Sequence, residues 1–115
     1  MITISRFGEW VSQQAWLLVQ HADHDIEFQK HYLKLMETAL EDKDIRPENY
    51  AYLWDRVQKN SGQPQRYGTQ GDCRKKNQWE PYKLEDPLQV NYYRQKMGLE
   101  PFNDYKKMVS ALSCL

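Results

Sequence analysis

From Phe7 to His21 the chain repeats at spacings of three and four: Phe7, Trp10, Val11, Gln14, Leu17, Leu18, His21. That is the period of a helix with one buried face. The pattern predicts a helix over residues 6–21, with Ser5 as its N-cap. A second helix is expected over 26–41, capped by Asp25 and buried along Phe28, Tyr32, Leu33, Met36 and Leu40. A third follows from Pro47 to Lys59, with proline at the first helical position and Gly62 just past the end. Its apolar face is Tyr50, Leu53, Trp54 and Val57.

Residues 60–85 lose the helical period and fill with Gly, Pro, Asn and Gln. Two short runs, QRYGT and WEPYKL, read as extended, with a polar loop containing Cys73 between them. Pro81 assigns the second run to a sheet edge. Asp86-Pro87 then opens a fourth helix through Leu88, Tyr92 and Met97, closed by Gly98 and Leu99. A fifth begins at Pro101 and carries Phe102, Tyr105, Met108, Val109 and Leu112 on one face. The expected fold is a single mainly α domain over residues 1–115. It is a compact bundle of four or five helices with a small irregular β-hairpin between the third and fourth. Its expected core is Trp10, Leu17, Phe28, Met36, Leu53, Val57, Phe102, Tyr105 and Val109.

Composition narrows the function classes. Sixteen basic residues balance sixteen acidic ones, so no net field draws the chain toward nucleic acid. A basic run, Arg74-Lys75-Lys76, precedes Trp79 and Tyr82, but a neutral protein with one such run reads as a solvated loop. Mean hydropathy is −0.93, and the apolar run AWLLV at residues 15–19 is far short of the ~20 residues that cross a bilayer. The first residues lack the basic start and long apolar stretch of a signal peptide. Cys73 and Cys114 form no CxxC pair, so free thiols in a reducing cytoplasm are expected.

The densest chemistry is QHADHD, residues 20–25, directly after AWLLV. On a continuing helix His21 and Asp25 lie four apart and face each other, and a carboxylate beside an imidazole suits a general base. Were the helix to end near Ala22, the helix dipole would favour imidazolium at His21 instead. Asp25 as a plain cap and His21 as a core histidine are the structural alternatives. His21 and His24 share a face, but structural zinc wants four ligands, usually with Cys, so no metal is expected. Asp55 and Arg56 point about 100° apart on a helix and need not share a partner. Asp55 is placed to orient His21 and Arg56 to grip a carboxylate or phosphate, or else the two serve structural ion pairs. In YGTQ, Gly68 permits close backbone approach or positive φ, and Tyr67, Thr69 and Gln70 can line a pocket wall or close the hairpin onto the helices. No GxSxG or paired Cys and His supplies a nucleophile.

Three phrases in order, WLLVQHADHDIEFQ (16–29), YAYLWDRVQKNSGQPQRYGTQ (50–70) and EDPLQV…YRQKMGLEPFNDY (85–105), resemble an uncharacterised bacterial family of unknown function marked by QHAD, a DRV helix and YGTQ. The resemblance implies no settled reaction. It implies recurring polar positions at Gln20, His21, Asp23, Asp55, Arg56, Tyr67, Gly68, Thr69, Gln70 and Arg94. It also implies that similar chains carry more helical sequence ahead of this one, so that part of the usual core is absent here.

Two readings of function follow. In the first, the chain is a metal- and cofactor-free hydrolase or group-transfer enzyme. His21 is the acid or base, Asp55 or Asp25 orients it, and Gln20, Asp23, Arg56, Tyr67, Gly68, Thr69, Gln70 and Arg94 hold a small anionic or amide-bearing substrate. In the second, it is a non-catalytic module that binds a ligand, pairs with itself as a homodimer, or completes its core with a partner protein.

Overall fold

The computed structural model describes residues 2–115. Its elements are α1 (Ile4–Phe7), α2 (Glu9–Gln20), α3 (Ile26–Glu41), α4 (Pro47–Asn60), β1 (Gly71–Lys75), β2 (Gln78–Pro81), α5 (Val90–Lys96) and α6 (Phe102–Ser113). The chain is mainly helical, with a two-stranded antiparallel hairpin between α4 and α5. The expected first helix is broken at Gly8 into α1 and α2. Ser5 does not cap it: its hydroxyl donates to Asp44 Oδ2 at 2.5 Å and its N–H to Asp44 Oδ1 at 2.6 Å. That ties the start of the chain to the turn after α3.

Two helix starts match their residues. The Asp25 carboxylate accepts the Phe28 N–H at 3.0 Å, as an N-cap does. Pro47 is the first residue of α4, where its missing N–H costs nothing. The fourth expected helix starts later than Asp86-Pro87 suggests. Asp86 turns the chain by accepting the Leu88 N–H, and regular helix begins at Val90.

Helices α2, α3 and α4 pack around Trp16, Val19, Met36, Ala39, Ile45, Leu53 and Val57. A second cluster, Trp79, Tyr105 and Cys114, joins the hairpin to α6. Tyr52 of α4 links the two, edge-on to Trp16 at 6.2 Å and to Tyr105 at 6.4 Å. Two expected core residues lie outside: Trp10 is 73% exposed and Phe28 44% exposed.

Trp10 reflects a rotation of the whole helix. α2 buries Ser12, Trp16, Val19 and Gln20, the side opposite the stripe that the spacing selects. Apolar residues run along both sides of α2, and polar partners decide between them. The Trp16 indole N–H donates to the Asn49 carbonyl at 2.9 Å. The Gln29 amide donates to the Val19 carbonyl at 3.0 Å. Facing the stripe inward would break both bonds and turn Trp16 and Val19 to water.

The hairpin also departs from expectation. Its strands are Gly71–Lys75 and Gln78–Pro81, so Cys73 lies in a strand, opposite Trp79. QRYGT precedes the first strand as a loop, touching a strand-like partner only at Gln65, which bridges to Leu84. The free thiols expected of Cys73 and Cys114 are a disulfide, with Cα atoms 5.4 Å apart across a sequence separation of 41. Folding brings together two cysteines that their spacing gave no reason to pair. Disulfides persist in oxidising compartments, so the cysteines no longer argue for a cytoplasmic protein. No helix among the described residues is long and apolar enough to cross a membrane.

Candidate functional site

Asp55 sits on α4 with no exposed surface. Oδ1 accepts the backbone N–H of Arg66 at 2.9 Å and of Tyr67 at 3.0 Å. Oδ2 accepts the Thr69 N–H at 3.0 Å and the Thr69 hydroxyl at 2.8 Å. Burial pushes the Asp55 carboxyl up, and these four donors pull it back toward the carboxylate. The carboxylate thus collects three N–H groups of a loop that has no ladder to satisfy them.

Arg94 of α5 takes the same loop from its carbonyl side. It is fully buried; Nη1 donates to the Tyr67 carbonyl and Nε to the Glu100 carbonyl, each at 2.7 Å. Its guanidinium lies 4.7 Å from the Tyr105 ring centre, a cation–π contact. Burial pushes the Arg94 pKa down. The Tyr105 hydroxyl donates to the Thr69 carbonyl at 3.2 Å. Gln65, also buried, closes the far end: it accepts the Gln70 N–H at 2.8 Å and donates to the Gln70 carbonyl at 2.7 Å. Gly68 has φ +71°, and a Cβ there would fall 2.7 Å from the Phe102 ring. Both properties expected of Gly68 are therefore in use, and the loop rests directly on α6.

Asp23 and Arg56 make the second cluster. Arg56 Nε meets Asp23 Oδ1 at 2.8 Å and Nη2 meets Oδ2 at 2.6 Å, a bidentate pair. Asn60 Nδ2 donates to the same carboxylate at 2.8 Å, and Gln29 Nε2 reaches it at 3.2 Å. The Arg56 guanidinium, with these two amides, holds the Asp23 carboxyl well below the usual carboxylate range. A depressed folded-state pKa contributes stability that is full above the unfolded value, about 3.9 for aspartate, and lost as pH falls through the folded value. Urea midpoints of wild type and Asp23→Asn should therefore differ at neutral pH and begin to converge below about pH 4, the gap narrowing further as pH falls toward the folded value. A gap that persists undiminished at pH 2 would contradict this role.

These clusters divide the expected site. Asp55 and Arg56 are neighbours in sequence but face different partners, one the YGTQ loop and the other the QHAD turn. Asp25 is spent on its cap. Gln20 is buried, and its side-chain carbonyl has no hydrogen-bond partner among the described residues. The Gln70 side chain bonds its neighbour Thr69. His21 is exposed where α2 ends, and no hydrogen bond joins it to Asp55 or Asp25 among the described residues. It borders an open groove of about 410 Å³ with Gln14, Leu17, Leu18, Ala22 and His24. A larger concavity of about 580 Å³ lies between the hairpin and α6, beside Trp79, Ser110 and the Glu80–Lys106 ion pair at 3.1 Å. Trp79 is buried, its ring edge-on to Tyr105 at 5.6 Å.

Sequence reasoning missed Gln29, Asn60 and Gln65. Gln29 left a signal: it lies seven residues before Met36 and ten before Ala39, so it falls on the buried face of α3. Gln65 left none, because only the fold brings Gln70 and Tyr82 to its amide.

The fold and these clusters define a small helical-bundle domain whose signature side chains are hydrogen-bonded to its own backbone and to one another. The chain belongs to the family of unknown function DUF6624, which it matches over residues 2–114. No curated protein and no solved structure matches it.

Proposed function

We propose that this chain is a non-catalytic interaction module, and that it works through the outer face of α2, taking up an uncharged apolar helix. The observation that carries the reading is where the charged motif side chains point. Asp23, Asp25, Asp55, Arg56 and Arg94 are each engaged by another group of this chain. The metal-free hydrolase suggested by the sequence needs its imidazole to have a free orienting carboxylate and a cation facing substrate. Here the carboxylates and guanidiniums hold loops and turns, and no hydrogen bond joins His21 to one of them among the described residues.

The outward side of α2 carries exposed apolar residues. Trp10 and Leu18 are 73% and 78% exposed, and Val11 is 41% exposed. Between Trp10 and Gln20 there is no Asp, Glu, Lys or Arg, so nothing along the outward stripe suits a charged partner. Contiguous exposed apolar surface on a soluble domain marks an interaction site.

The test is whether the face is dispensable for the fold. Trp10→Ser and Leu18→Glu, melted at low protein concentration, should unfold within about 3 °C of wild type, as exposed positions do. Losses well beyond that would make the stripe part of the monomer's own core and overturn the reading.

A further inference from the structure

Building on that reading, we infer that the helix received by α2 is α2 of a second copy, docked antiparallel about a two-fold axis at Gln14. The outward stripe of α2 is symmetric about its centre: Trp10, Val11 and Leu18 are exposed, and Leu17, at the stripe's edge, is half-buried against the α2–α3–α4 core. Measured from Gln14, Trp10 and Leu18 lie four residues away on either side, and Val11 and Leu17 lie three away. At about 100° per residue, these positions span an arc of about 120° centred on Gln14. The buried face of Ser12, Trp16 and Val19 lies on the other side.

An antiparallel two-fold pair brings residue i against the mirror residue of the second copy, so the same patch must complement itself. In this register Trp10 meets Leu18 of the second copy, and Val11 meets the part of half-buried Leu17 that lines the groove. Each apolar side chain therefore meets another, and no charge is buried. Gln14 meets its own copy on the axis. A carboxamide both donates and accepts, so two of them can bond reciprocally there. One polar residue on an apolar seam is also a known device for setting register.

The shape agrees with the chemistry. The groove of about 410 Å³ beside Leu17, Leu18 and His21 lies at the Leu18 end of the stripe. That is where the register delivers Trp10 of the second copy, the largest exposed side chain of α2. A large aromatic seated in a partner's pocket is the usual anchor of an interface. The twelve residues of α2 make a seam only ~18 Å long. This is less surface than the ~800 Å² per partner of a standard stable complex. The dimer is therefore weak and concentration-dependent.

Sedimentation velocity of the full chain from about 5 to 500 µM is expected to show a monomer converting to dimer. Leu18→Glu should weaken association at least tenfold, and Trp10→Ser should weaken it comparably should the charged variant misfold. Gln14→Cys, oxidised at high concentration, should form a covalent dimer through its own new thiol while Cys73 and Cys114 stay paired. A wild type monomeric at the highest concentration overturns the second copy as occupant, and the reading of α2 then stands or falls on the melting of Leu18→Glu. A dimer that ignores Leu18→Glu and does not cross-link through Gln14→Cys overturns both, because the interface is then elsewhere.

Discussion

Asp55→Asn is expected to cost about 3–5 kcal/mol of stability, the loss typical when one partner of a buried charged network is removed. For a domain of this size that lowers Tm by about 12–20 °C. The substitution keeps the shape and changes only the chemistry. One oxygen that accepts two hydrogen bonds becomes an amide that donates. Whichever oxygen is replaced, a donor then faces two donors: Arg66 N–H with Tyr67 N–H, or Thr69 N–H with its hydroxyl. The released loop carries the Tyr67 carbonyl that accepts from Arg94 Nη1 and the Thr69 carbonyl that accepts from the Tyr105 hydroxyl. The damage should therefore spread to α5 and α6. Thermal unfolding by circular dichroism is the measurement, with hydrogen exchange at residues 66–70 as its local readout. An Asp55→Asn protein that melts with wild type would mean the carboxylate is not kept for the fold, and the non-catalytic reading would fall with it.

Reduction of the Cys73–Cys114 bond should be nearly as costly. The bridge closes a loop across 41 residues of sequence, and the chain-entropy model assigns such a closure about 4 kcal/mol. Cys114 is buried, and its carbonyl accepts the Asn77 N–H at 2.6 Å, so the same residue secures the hairpin turn. The double variant Cys73→Ser with Cys114→Ser is expected to melt about 16 °C below the oxidised wild type. Reductant should bring wild type down by a similar amount and leave the double variant unchanged. Loss should begin at the hairpin and α6, since the α2–α3–α4 core holds neither cysteine. A reduced protein with wild-type Tm would show that packing of Trp79 on Tyr105 alone secures this end.

Legibility followed the range of the interaction. Asp25 and Pro47 were readable because a cap and a first-turn proline act within four residues of themselves. The helical faces of α3 and α4 were readable where one side is apolar and the other charged: Met36, Leu53 and Val57 are buried as their spacing requires. α2 was not, because periodicity cannot choose between two apolar sides. The motifs QHAD, DRV and YGTQ stood out as polar residues in apolar company. Their partners did not, since Asp55 reaches 11 to 14 residues ahead and Arg56 reaches 33 behind.

By itself, then, the sequence determined the helix count to within the short α1, the place of the hairpin and the residues that carry the polar chemistry. These rest on local periodicity, capping and turn composition, which act over a few residues. The tertiary structure decided which face of α2 is buried, that Cys73 and Cys114 are bonded, and that Asp55, Arg56 and Arg94 hold their own chain. Each of those outcomes depends on where a distant carbonyl, N–H or thiol comes to lie. Packing of the helices sets those positions, and no spacing along the chain encodes them.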